Sequence, residues 1–196
     1  NGETITEINT APTAATTATS GSVVGPYSIT VSGGLDDNYD FNYVQGMLSI
    51  TKATLTATAN NQSRTYGVDN PTFTISYTGF VNSETSSVID VAPTASSAAA
   101  ITTPVGTYAI NVSGGSDNNY DFVYSVGTLT ITKATVTATA VDASRVYGAA
   151  NPTLTITYSG FLNGENSSVL DTTPTTSTAA TLGSNVGTYP IVISGG

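Results

Sequence analysis

Residues 52–59 read Lys-Ala-Thr-Leu-Thr-Ala-Thr-Ala, and residues 133–140 read Lys-Ala-Thr-Val-Thr-Ala-Thr-Ala. Leu55, Ala57 and Ala59 alternate with threonines, as do Val136, Ala138 and Ala140, which is the period-2 pattern of a half-buried strand. The stretches lie 81 residues apart, and the same offset recurs outward along the chain. It links Tyr66-Gly67 to Tyr147-Gly148, Asn70-Pro71 to Asn151-Pro152, and Gly79-Phe80 to Gly160-Phe161. Val24-Gly25, Val105-Gly106 and Val186-Gly187 stay in step, as do the Ser-Gly-Gly triplets at Ser32, Ser113 and Ser194. Over 64 alignable positions the second and third copies share 38 identities without a gap. Self-similarity at that spacing signals duplication of one structural unit.

This register predicts one complete repeat at 52–132, the C-terminal part of a preceding repeat at 1–51, and the N-terminal part of the next at 133–196. The chain opens on Asn1 without an initiating Met, so an interior piece of a longer array is expected. Further alternating runs mark strands at Phe73, Ile75 and Tyr77, at Tyr108, Ile110 and Val112, at Tyr120, Phe122 and Tyr124, and at Leu129 and Ile131. Turn formers separate them: Tyr66-Gly67 leading to Asn70-Pro71, then Ser113-Gly114-Gly115, then Gly127. A short helical turn is expected within 82–90, with Val88 and Ile89 packing inward. The fold class expected is all-β: tandem small antiparallel β-sandwich (Ig-like) repeats of about 81 residues in an elongated array, with β-grasp-like units the alternative. The apolar phase changes between Ile50 and Leu55 and again between Ile131 and Val136. Since a one-residue slip reverses the faces, each change reads as a boundary with almost no linker, and a semi-rigid rod follows.

Composition removes whole classes of function. The chain has no His, Cys or Trp, and its basic residues are Lys52, Arg64, Lys133 and Arg145. The usual zinc, haem and iron–sulfur ligand sets are therefore missing, along with any imidazole base or thiol nucleophile. A net charge of −9 opposes nucleic-acid binding, which depends on Lys and Arg neutralising phosphates. No apolar run reaches the length of a membrane helix, so no direct membrane insertion is expected of this segment. A non-enzymatic protein is expected.

The repeated elements resemble the MBG-type domains, in particular the YGX variety. Along the unit they run Lys-Ala-Thr-Leu-Thr, Tyr-Gly-x-x-Asn-Pro, Tyr-Thr-Gly-Phe, Val-Gly-Thr-Tyr, Ser-Gly-Gly, Asn-Tyr-Asp-Phe and Gly-Thr-Leu-Thr-Ile-Thr-Lys-Ala. The resemblance covers essentially the whole chain. It implies an extracellular location at the bacterial cell surface, in large adhesin-like proteins, with an adhesive or scaffolding role. It carries over no catalytic residue and no cofactor.

Several residues stand out as candidate sites. Asp36 and Asp40, and their copies Asp117 and Asp121, sit in Asp/Asn clusters of the kind that supply oxygens to calcium, although such clusters are also ordinary turns. Arg64 and Arg145 precede Tyr66-Gly67 and Tyr147-Gly148. In so uncharged a chain they call for a fixed acidic partner, with Glu84, Glu165 and Asp121 the candidates, and a structural role is expected. Lys52 and Lys133, with Asn70/Asn151 and Glu84/Glu165, supply the residue types of a Lys–Asn isopeptide cross-link; a solvated junction lysine is the competing reading. The eleven tyrosines fall mostly on apolar phases and are expected in the core. Partners expected are the neighbouring repeats, with surface glycans or proteins the alternative. The function expected is a stalk or spacer that projects an adhesive tip or builds a surface filament. The rival is a binding module in every repeat.

Overall fold

The computed structural model describes residues 8–196. It is all-β, with small sheets and, among the described residues, two single 3-10 turns, Ser86–Val88 and Ser167–Val169. The chain gathers into two compact units that do not coincide with the sequence copies. One takes the residues up to Asn60, with Phe73–Ser97 and Ala109–Thr128; the other takes Asn61–Thr72, Ala98–Tyr108 and Leu129–Gly196. Each unit thus unites part of one copy with part of the next.

In the first unit, β1 (Thr13–Thr16), β2 (Gly25–Ser32) and β3 (Gly46–Ile50) form an antiparallel meander, with Thr13 opposite Ser32 and Gly25 opposite Ile50. A second sheet is built on β4 (Ala53–Ala59). One edge of β4 pairs antiparallel with β6 (Ile75–Thr78), Ala59 facing Ile75. Its other edge pairs parallel with β9 (Tyr120–Ser125), Ala53 facing Tyr120 and Thr58 facing Ser125. The short β7 (Thr94–Ser96) lies antiparallel to β8 (Gly106–Ser113). Leu55, Ala57, Ala59, Ile110, Val112 and Tyr120 are buried, so the alternating faces read from the sequence point inward here.

In the second unit, β5 (Gln62–Thr65) pairs parallel with β10 (Gly127–Thr132), placing Gln62 opposite Leu129. Leu129 and Ile131 are buried. The third copy contributes β11 (Thr137–Ala140) against β12 (Ile156–Ser159), and β13 (Thr175–Thr178) against β14 (Ile191–Ser194), both antiparallel. Val136, Ala138 and Ala140 are half-buried. Residues 143–146, the copies of β5, form no strand, and β11 starts three residues later than a full copy of β4 would.

Two features depart from expectation. The antiparallel ladders are joined by two parallel ones, β4–β9 and β5–β10, and both keep a single offset of 67 residues. Alternation specifies which face a residue takes but not which strand lies beside it, so the parallel pairing could not be read in advance. The helical turn forms where expected, yet Val88 is exposed and only Ile89 is half-buried. One 3-10 turn has too few residues to aim two successive side chains at the same core.

Candidate functional site at the repeat junction

The Tyr-Gly element is a tight turn. Val68 N–H donates to the Thr65 carbonyl at 3.2 Å, and Gly67 takes a φ of 76° at the third position, where a side chain is disfavoured. The third copy repeats it, with Ala149 N–H on the Val146 carbonyl and Gly148 at φ 79°. Arg64 anchors this turn. Its Nε donates to Asn70 Oδ1 at 2.7 Å, its Nη2 to the Ala100 carbonyl at 2.6 Å, and its Nη1 to the Thr65 carbonyl at 3.3 Å. Asn70 Nδ2 completes the clamp by donating to the Ala99 carbonyl at 2.6 Å. Arg145 repeats the arrangement with Asn151 Oδ1 at 2.7 Å and the carbonyls of Val146 and Thr181, while Asn151 Nδ2 reaches the Ala180 carbonyl.

The acidic partner expected for these arginines is therefore replaced by neutral oxygens. A guanidinium presents five donors in a rigid fork, and a loop of converging carbonyls satisfies it as completely as a carboxylate does. Arg64 is only 7% exposed, so Arg64→Met should leave Asn70 Oδ1 without its charged donor, remove one of the two bonds to the Ala100 carbonyl, and cost about 2 kcal/mol of stability. Arg145→Met, at a half-exposed copy of the site, should cost clearly less in the same urea titration.

The repeated glutamates sit at the end of a second tight turn. Asn82 and Ser83 have φ values of 53° and 60°, and Glu84 N–H donates to the Val81 carbonyl at 3.0 Å, as in a type I′ turn. Asn163, Gly164 and Glu165 repeat it, with Glu165 N–H on the Leu162 carbonyl. Glu84 Oε2 accepts from the Tyr120 phenol at 2.5 Å, and Val81 N–H donates to the same phenolic oxygen at 3.0 Å. The Phe80 ring meets Tyr120 edge-on at 5.6 Å. Glu165 Oε1 accepts from Tyr66, a residue of the preceding copy, at 2.6 Å. A Cβ added to Gly67 would come within 2.6 Å of the Leu162 side chain, so the glycine is also a packing requirement.

Both phenols titrate above their ordinary value near 10: Tyr66 chiefly because it donates to Glu165, Tyr120 chiefly through burial and then through Glu84. A raised value in the folded state means that the neutral phenol is the stabilised form. This contribution is complete below pH 10 and is lost as the pH climbs through the raised values. Unfolding followed from about pH 8 to 11 should show a steep alkaline loss of stability, and Tyr66→Phe should remove part of that slope.

A family model described as MBG domain (YGX type) matches residues 1–49, 55–130 and 135–196. The chain belongs to the MBG domain family, YGX type. No curated protein and no solved structure matches it. MBG repeats are associated with surface proteins.

Within the first unit, two consecutive MBG repeats meet through polar contacts. Val24 N–H donates to Asn119 Oδ1 at 3.1 Å, and Asn82 Nδ2 donates to the Ser20 carbonyl at 3.1 Å. Lys52 Nζ donates to the Asp117 carbonyl at 2.7 Å and lies 3.6 Å from Asp121, whose side chain is 73% exposed, so this ion pair contributes little. In the Asp clusters the carboxylates serve the turns they sit in. Asp117 Oδ1 accepts the amides of Asn119 and Tyr120, its Oδ2 accepts that of Asp90, and Asp36 Oδ1 accepts that of Asn38. Among the described residues no three acidic groups converge as a metal site would require. Asp40 and Asp121 join no such group. Of the residues that could supply a Lys–Asn cross-link, Lys52 is engaged by the Asp117 carbonyl, and Asn70 by Arg64 and the Ala99 carbonyl.

The tyrosines are less buried than their phase suggests. Tyr120 is buried, but Tyr39, Tyr43, Tyr124, Tyr147 and Tyr189 are exposed. In thin MBG repeats a strand's inward face extends past the small core to its rim, and long rings reach solvent there. Asn70, Asn151, Asn82 and Asn163 are the residues whose roles went unread. The signal was available, since each pair recurs at the repeat offset and Asn70 follows Arg64 by six residues, as Asn151 follows Arg145.

Proposed function

We propose that this MBG array is a non-catalytic stalk or spacer of a secreted or cell-surface bacterial adhesin, projecting an adhesive tip or building a surface filament. The observation that carries this reading is that Tyr66 of one repeat is hydrogen-bonded to Glu165 of the next inside a single compact unit. Repeats coupled by tight turns and side-chain contacts resist independent rotation, which is what a spacer needs. The absence of His and Cys and the net charge of −9 agree with a structural role and with partners other than nucleic acid. The location at the cell surface rests on the family.

A second reading, a glycan- or protein-binding module in each repeat, is favoured by the exposed rings of Tyr39, Tyr43, Tyr124, Tyr147 and Tyr189, since tyrosine stacks on sugars. The 196-residue chain screened on a glycan array and on immobilised surface proteins separates the two. A spacer gives no signal above a denatured control. Saturable binding lost on replacing exposed tyrosines would establish the module instead.

A further inference from the structure

The turn at 162–165 and its central copy at 81–84 differ at the tip, where Asn163-Gly164 replaces Asn82-Ser83. Asn163 and Gly164 have φ values of 53° and 74°, and both are exposed. A Cβ added to Gly164 would find no atom within 4 Å, so packing does not call for the glycine, and Ser83 holds the same corner at φ 60°. Among the described residues Gly164 N–H donates to no group of the chain, as expected at the third position of a type I′ turn. Asn82 is tied down by its Nδ2, which donates to the Ser20 carbonyl at 3.1 Å. The Asn163 side chain lies instead beside the Tyr66 phenol, the donor to Glu165 in the same compact unit.

An asparagine followed by glycine is open to ring closure, because no side chain crowds the next amide nitrogen. Closure needs the Asn163 ψ to swing from the value of a type I′ turn, about +30°, to about −120°. Rotating the single peptide between Asn163 and Gly164 does this by converting type I′ into type II′. Asn163 keeps its positive φ, Gly164 moves to a negative φ that glycine adopts as readily, and the flanking residues stay in place.

We propose that Asn163 is a site of spontaneous deamidation and isomerisation, and that the change releases Tyr66 from Glu165. The Gly164 nitrogen gives its proton to hydroxide and bonds to Asn163 Cγ. The Cγ–Nδ2 bond breaks, and ammonia leaves with a proton taken from water. The resulting five-membered imide then adds water. Opening at Cγ yields aspartate; opening at the main-chain carbonyl yields isoaspartate, whose chain runs through Cβ and Cγ and gains one backbone atom. One water is consumed and one ammonia released, with no oxidant. Either product puts a carboxylate where the amide was, close to Glu165, and isoaspartate also lengthens a two-residue turn that has no slack. The chemistry is independent of whether the array is a stalk.

Incubating the folded 196-residue chain at mildly alkaline pH tests this by intact mass, anion exchange and peptide mapping. Trypsin, cutting after Lys52, Arg64, Lys133 and Arg145, separates 146–196 from Asn1-Gly2 and from Asn82. That fragment should gain about one dalton, an NH exchanged for O, with isoaspartate located at position 163. Asn151 in the same fragment precedes Pro152, whose nitrogen has no proton to lose. Gly164→Ser, which installs the central tip, should slow the gain severalfold, and Asn82 should lag behind Asn163 in the unaltered chain. The modified fraction, separated by its added negative charge, should unfold at lower urea than fresh protein, and Tyr66→Phe should shrink that difference. A folded chain that gains no mass while the chain in urea does overturns the proposal, because the turn then guards its amide. So does modification of Asn82 as fast as Asn163, or a Gly164→Ser chain that reacts at the original rate. A modified fraction as stable as the fresh one, or a loss that Tyr66→Phe leaves intact, overturns the release of Tyr66.

Discussion

Replacing Leu55 with Ala is expected to lower the stability of the chain by about 2–5 kcal/mol, the range for truncating a fully enclosed leucine. Leu55 has no exposed surface, and it lies on β4 between β6 and β9, where backbone ladders on both sides limit collapse around the cavity. The third copy supplies the control. Val136 occupies the equivalent position half-buried, before the start of β11, so Val136→Ala should cost about 1 kcal/mol. Urea unfolding of the two variants side by side measures the difference; equal losses would contradict the burial assigned to Leu55.

The second large effect is expected at Gly127, which opens β10 with Val126 alone separating it from the end of β9 at Ser125. A Cβ there would lie 2.9 Å from the carbonyl carbon of Ala59, with the carbonyl oxygen nearer still. Both obstacles are backbone, fixed by the ladder that carries Ala59 opposite Ile75, and neither can swing aside. Gly127→Ala should therefore cost about 3 kcal/mol, the upper end for overpacking a well-filled site. Gly46 is the same position one repeat earlier, yet its added Cβ would meet nothing closer than Ile29 Cβ at 3.6 Å. Gly46→Ala should be close to neutral in the same thermal melt. The contrast isolates close backbone approach from any general intolerance of alanine in the Gly-Thr-Leu and Gly-Met-Leu strands.

The repeat, the all-β class and the inward faces were legible because they rest on spacing. Leu55, Ala57, Ala59, Leu129 and Ile131 are buried as their alternation requires. Pairing was not legible. Nothing in the alternation of 53–59 distinguishes a parallel neighbour from an antiparallel one, and β9 lies 67 residues away in register. At the junction, Arg64, Glu84, Tyr66 and Gly67 stand out as repeated, but charge alone points Arg64 to an acidic partner among Glu84, Glu165 and Asp121. The folded chain gives Arg64 to carbonyls and Glu84 to a phenol. Charge sign is visible in a sequence; the convergence of carbonyl oxygens in a loop is created only by folding.

That choice of partners has a consequence for where such a chain can work. An arginine held by carboxylates loosens as salt rises and lets go when the carboxylates take up protons in acid. Arg64 and Arg145 depend on amide and peptide oxygens, which neither titrate across that range nor attract counterions strongly. The loops they brace should hold their form in brine and in acidified surroundings alike.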